Sequence, residues 1–259
     1  MTVRIGVAQV ETVPDDLQGN RRKALALAAE GAARGADIIL FPEGMLTGYG
    51  RRFQELAEPA DGPTAAAFGA LLKGSQTLAL FGLVERQDDR LYEAAVLVGE
   101  AGIQAHYRKT HLWWDAVGVR NETEHLTAGD ALVCFQVKGA KSGVMICYDG
   151  DFPEMTRSYA NLGCVMLFWL NMRGSRGHAE VKELARRNSM IVAASCNCGH
   201  DEAGRCCRGG SNITDKDGTL LAEIWDAPGL ILADVDPSGV LAARQANPSF
   251  TGQRRDLYV

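Results

Sequence analysis

Apolar and polar positions alternate between two periods along this chain. Val3–Val10 (VRIGVAQV) is an almost unbroken apolar run of strand length. Leu17–Arg34 follows, alanine-rich, with Leu25, Ala28, Ala29 and Ala32 spaced along one face of a helix. Ala36–Phe41 (ADIILF) reads as a second strand, Ala65–Lys73 as a second helix, and Leu78–Arg86 and Leu91–Val98 as strands joined by a polar turn. Ile103–Tyr107 is a short strand. It leads into Lys109–Asp130, rich in Trp, Asp, Glu and His and weakly periodic, which is too long for an idle connection and is expected to be a functional loop.

Ala131–Val137 and Lys141–Cys147 read as strands around a Lys-Gly-Ala turn. A helix is expected after Cys147, with Asp151 and Glu154 at capping-box spacing and a proline in its first turn. Cys164–Leu170 is a wholly apolar strand, Ala179–Asn188 a helix, and Met190–Ser195 a strand. Short strands at Ser211–Thr214, Thr219–Ile224 and Leu230–Val235 precede a polar tail. Strands alternating with helices predict an α/β fold. No solenoid-period repeat and no low-complexity linker interrupts the pattern, so one domain over residues 1–259 is expected.

Composition narrows the function classes. Hydrophobic residues at 46% and charged residues at 23% are ordinary for a globular protein, and a net charge of −5 gives no global field for nucleic acid or anionic membranes. No apolar stretch reaches bilayer length, and the N-terminal run is a strand pattern carrying an arginine, so a cytoplasmic protein is expected. Seven cysteines without framework spacing fit free thiols.

Three segment ends carry reactive side chains: Glu43 beyond ADIILF, Lys109 beyond the Ile103–Tyr107 strand, and Cys147 at the end of an apolar strand. An α/β fold gathers such ends along one edge. A cation favours the thiolate, a carboxylate takes and returns a proton, and an ammonium with a backbone N–H holds an oxyanion. His106 and His111 flank Lys109 and are read as bonded or packed residues rather than as the base. Asp149 and Glu154 are read as structural, capping a helix or bonding loop amides.

These stretches resemble the nitrilase-like carbon–nitrogen hydrolases along nearly the whole chain. RIGVAQV is similar to the family's first strand, ADIILFPEGMLTGY to its glutamate motif, YRKTHLW to its lysine motif and GVMICYDGDFPEMTR to its cysteine elbow. ELARRNSMIVAASCNCG resembles the stretch after the elbow, and GGSNITDKDGTLLAE with ADVDPSGVLAARQANPSFTGQRRDLY the terminal strands. The resemblance implies a four-layer α-β-β-α sandwich. It makes Glu43 the general base, Lys109 the oxyanion-stabilising cation, Cys147 the nucleophile and the Tyr148 amide a second oxyanion donor. A further carboxylate, Glu122 or failing that Glu124, completes the implied set.

The resemblance also implies a small-molecule amide substrate, no metal or organic cofactor, and at least a homodimer. The Tyr-Asp pair after the cysteine favours an amide, then a carbamoyl compound, then a nitrile. The different-class alternative is a binding or regulatory subunit without turnover. Tyr49, Trp113, Asn171 and Met172 are candidate substrate contacts, Trp113 and its neighbour Trp114 being equally readable as a hydrophobic anchor; Arg173 and Arg176 stand on a candidate anchoring loop. Cys196–Cys207 (CNCGHDEAGRCC) departs from the family; strand-end cysteines or an oxidisable rim loop suit its spacing better than a metal site.

Overall fold

A computed structural model describes residues 1–114, 121–172, 177–201, 203–204 and 206–254. In chain order the elements are β1 (Val3–Glu11), α1 (Leu17–Ala33), β2 (Ile38–Leu40), α2 (Pro63–Leu71), β3 (Leu78–Gln87), β4 (Arg90–Gly99) and β5 (Gly102–Arg108). Next come β6 (Cys134–Val137), β7 (Ala140–Ile146), α3 (Pro153–Asn161), β8 (Met166–Leu170), α4 (Gly177–Asn188) and β9 (Ile191–Ser195). The chain continues through β10 (Asn197–His200), β11 (Cys206–Thr214), β12 (Leu220–Trp225) and β13 (Gly229–Val235) to α5 (Val240–Ala246) and α6 (Pro248–Thr251).

The strands form two six-stranded halves, β5-β4-β3-β2-β1-β13 and β6-β7-β8-β9-β11-β12. β10 joins them, running parallel to β1 and antiparallel to β11. The halves meet face to face. Val3, Ile5 and Val7 of β1, with Ile38, Leu40, Leu80 and Leu97, share one core with Val144, Leu167, Trp169 and Val192 of the other half. Alternate residues Ala8, Val10, Ile39, Phe81 and Val96 turn outward onto Ala24 and Ala28 of α1 and Ala65 and Phe68 of α2. Met155 and Tyr159 of α3 and Val181 and Ala185 of α4 cover the second half. Both faces of the central strands, β1 to β4 in one half and β7 to β9 in the other, are buried, which is why they read as continuous apolar runs instead of clean alternation. The layer order is α-β-β-α, as the resemblance implied.

Three expectations are corrected. The Asp151–Glu154 capping box does not form: Phe152 is the N-cap of α3, without a side-chain cap, and Pro153 opens the helix. The cysteine-rich stretch does hold strand-end cysteines, but two strand boundaries differ from expectation: Asn197–His200 forms the connecting strand, with Cys198 inside it, and Cys206–Cys207 open β11 upstream of the expected start at Ser211. The tail contains helices α5 and α6, held by a buried arginine. Arg244 donates to Ala160 O at 2.9 Å, Asn188 O at 3.0 Å and Cys164 O at 2.7 Å, satisfying carbonyls at the ends of α3 and α4. Burial lowers its pKa to about 10.

Candidate active site

β1, β2 and β3 run parallel, as do β7, β8 and β9, and β5 points the same way as β3 because it is antiparallel to β4. Glu43 follows β2, Lys109 follows β5, Cys147 follows β7 and Asn171 follows β8. The open edge of each half thus carries the groups that sequence singled out.

The Lys109 ammonium is fully buried between two carboxylates, 2.9 Å from Glu43 Oε1 and 2.8 Å from Glu122 Oε1. Burial alone would lower its pKa. Glu43, the Cys147 thiol and Glu122 reverse that and raise it well above the usual lysine value, so the site holds a fixed positive charge electrostatically coupled to the thiol. Of the two candidate second glutamates, Glu122 reaches Lys109. Its Oε2 accepts from Trp113 N at 2.8 Å, while its own N–H donates to Trp113 O at 3.0 Å. Burial raises the Glu122 pKa, in part against Lys109. Glu124 is exposed and accepts instead from Asn121 at 3.0 Å.

Glu43 is 1% exposed, and its backbone is held on both sides. Asn197 Nδ2 of the connecting strand donates to Glu43 O at 2.8 Å, and Gly44 N donates to Glu93 Oε1 at 3.3 Å. Beneath it lies Gly82 of β3, where a Cβ would stand 2.8 Å from Glu43 Cα and 2.8 Å from Pro42 O. Only glycine lets the Glu43 turn rest that closely on the strand.

Cys147 is half-buried and opens a 3-10 turn, Cys147–Asp151, with φ of +44°. A non-glycine residue in the left-handed region is strained and persists only where its surroundings fix it. Here Trp169 Nε1 donates to Cys147 O at 3.1 Å, and Asp149 Oδ2 accepts from Ile146 N at 2.9 Å. Asp149 is a buried hub. It also accepts from Tyr107 Oη at 2.6 Å, Thr110 Oγ1 at 3.0 Å and His111 N at 3.0 Å, and His111 Nδ1 lies 2.9 Å from it. The cysteine turn is therefore tied to the segment carrying Lys109. His106 bonds Glu85, so both flanking histidines have structural partners.

Beside the cysteine turn in sequence, Tyr148 meets Trp113 edge-on at 5.0 Å and Phe152 at 5.2 Å, and Phe152 stacks on His111 at 3.8 Å. Trp114, 60% exposed, stands outside this wall. Tyr49 is half-buried against Phe53; desolvation of its hydroxyl and the facing Glu43, Glu93 and Glu122 carboxylates raise its pKa well above the usual value. Asn171 is buried with Nδ2 on Trp169 O at 3.3 Å and Oδ1 unpartnered. Met172 is half-buried at the end of the described stretch; Arg173 and Arg176 lie outside the described residues.

Sequence reasoning missed Glu93 and Asn197. Glu93 had a signal, a single carboxylate amid the apolar residues of β4; Asn197 had none. Among the described residues no group of His, Cys, Asp or Glu is placed to hold a metal ion, and no helix is long and apolar enough to cross a membrane.

Comparison with known proteins adds a family. The model for carbon–nitrogen hydrolases matches residues 4–245. A hydrolase of Schizosaccharomyces pombe is 32% identical over 98% of this chain and 83% of its own length. The omega-amidase NIT2 of Homo sapiens is 28% identical, covering 96% and 94%. A crystal structure of a CN-hydrolase superfamily protein from Xanthomonas campestris, with an arsenic adduct in its active site, superposes with a TM-score of 0.87 at 23% identity, covering 98% and 97%.

Proposed function

We propose that this chain, which belongs to the carbon–nitrogen hydrolase family, is an amidase that splits small amides through a thioester on Cys147. One observation carries the reading: a buried ammonium, Lys109, is clamped by Glu43 and Glu122 and coupled to a thiol on a strained turn.

Glu43 Oε1 is engaged by Lys109, and Glu43 Oε2 is buried with no partner. That second oxygen takes the thiol proton. The thiolate attacks the carbonyl carbon, and the oxyanion is held by Lys109 and the Tyr148 N–H. Glu43 and Glu122 accept hydrogen bonds from two of the three ammonium N–H groups, and the third donates to the oxyanion. The C–N bond then breaks, and Glu43 returns its proton to the leaving nitrogen, releasing ammonia. Water, deprotonated by Glu43, attacks the thioester, and the carboxylic acid leaves with the thiol restored. Glu122 positions Lys109 throughout, and the Trp113–Tyr148–Phe152 wall bounds the acyl side.

Ammonia release from short aliphatic amides, aromatic amides, carbamoyl amines and nitriles tests the reading. Turnover is expected highest for an amide. Intact mass should show an acyl adduct that is absent from Cys147→Ala. An unchanged rate in Cys147→Ala, or wild-type protein that forms no adduct with any of the four classes, rejects it.

A further inference from the structure

We propose that Glu93, a buried strand residue outside the Glu43–Lys109–Cys147 set, is a positioning residue that acts as a neutral carboxylic acid and locks the general base to the oxyanion cation. The proposal rests on the hydrolase reading above.

The geometry is a cross-link made by one residue. Its main-chain carbonyl accepts from Lys109 N at 2.8 Å, fixing the backbone from which the ammonium projects. Its side chain accepts through Oε1 from Gly44 N at 3.3 Å, fixing the residue after Glu43. Glu93 is fully buried on β4, between β3, which supports the Glu43 turn, and β5, which ends at Lys109. Base and cation come from distant parts of the chain, and this one side chain and its carbonyl hold both.

Charge decides its protonation state. Lys109 already serves Glu43 and Glu122. A third buried anion would have no cation of its own, a state that proteins avoid by keeping the proton. The groups facing Glu93 are Glu43, Tyr49, Lys109 and Glu122; burial, with Glu43 next, raises its pKa well above the usual carboxylate value. A hydrogen bond from Tyr49 opposes that rise without reversing it; Oε1 accepts from Gly44 N, which leaves Oε2 as the oxygen assigned the proton. A neutral Glu93 adds no further negative charge beside Glu43, and Lys109 remains the nearest counter-charge to that carboxylate.

A glutamine should therefore replace Glu93, whereas a residue without an acceptor should not. Glu93→Gln is expected to keep kcat within about threefold of wild type, with the limbs of the kcat/KM pH profile unmoved. Glu93→Ala, and Glu93→Leu which preserves volume, are expected to lower kcat on the order of 10²-fold with KM little changed, because base and cation lose registration. The rate of iodoacetamide labelling of Cys147 against pH, followed on its own peptide, should be altered in the Ala and Leu variants and retained in Gln. A Gln variant as impaired as Ala, or with a pH limb moved by about one unit or more, overturns the neutral acid. Wild-type kcat and wild-type labelling in Ala or Leu overturn the positioning role. If wild-type protein turns over no amide, the hydrolase reading fails by itself, and the labelling profiles still decide the fate of Glu93. Should Ala and Leu fail to fold, the Gln pH profile carries the decision.

Discussion

Removing the Asp149 carboxylate should cost more stability than removing most single side chains, and the structure says how much. Asp149 accepts from two buried donors, Ile146 N–H at 2.9 Å and Tyr107 O–H at 2.6 Å, and from Thr110 and His111 nearer the surface. In Asp149→Ala the His111 groups, on a side chain 34% exposed, can turn to water. The Ile146 N–H cannot, and the Tyr107 O–H keeps only its 3.3 Å contact with Thr110 Oγ1; with each unmet buried donor costing about 1–3 kcal/mol, a loss of about 2–5 kcal/mol follows. Asp149→Asn keeps one acceptor oxygen but brings an NH₂ toward the others, so about half that loss is expected. Urea unfolding should show both midpoints lowered, Ala more than Asn, with m-values unchanged. Because the same carboxylate joins the Cys147 turn to the Lys109 segment, kcat should fall in the same order under conditions where both variants are folded. An Asp149→Ala protein with a wild-type midpoint and wild-type turnover would refute the hub as drawn.

Other outcomes follow from single contacts. Gly82→Ala forces the backbone at Glu43 aside, since its Cβ would lie 2.8 Å from Glu43 Cα; kcat should drop on the order of 10²-fold while stability falls by about 1–3 kcal/mol, read by steady-state kinetics and denaturant melts. Glu122→Gln weakens one of the two clamps on Lys109 and should lower kcat by about 10–10²-fold, with Glu124→Gln as the unaffected control. Glu85 is buried, yet hydrogen bonds from Arg108 and His106 and their charges outweigh that burial and lower its pKa from 4.5 to about 2. The stability this contributes is present above the unfolded-state value near 4.5 and lost as pH falls toward 2. Urea midpoints between pH 5 and 2 should decline by the equivalent of up to about 2 kcal/mol after discounting for solvent screening, and Glu85→Gln should flatten that decline.

What was legible along the chain was whatever a local pattern carries. Strand patterns end at Phe41, Tyr107 and Ile146, and the reactive residues just beyond them, Glu43, Lys109 and Cys147, stood out for that reason. Patterning also carried the α/β class, because the central strands bury both faces and the long helices alternate with them. The choice between Glu122 and Glu124 was not legible. Two glutamates two residues apart on a 3-10 turn point in different directions, and only the tie to Trp113 selects the one facing Lys109.

Glu93 drew no reading from the sequence, and its place shows only once β3 and β5 are laid beside β4. The strands around the cysteines, β10 and the first residues of β11, were not expected upstream of Ser211, since a strand that joins two sheets has no periodicity of its own. The polar tail hid a buried Arg244, whose burial depends on carbonyls at the ends of two other helices. Chain-local hydrophobicity determined which segments would be strands and helices and which ends would carry chemistry. Tertiary packing decided which charges share one buried space, because pairing and protonation in low dielectric depend on neighbours that distant parts of the chain supply.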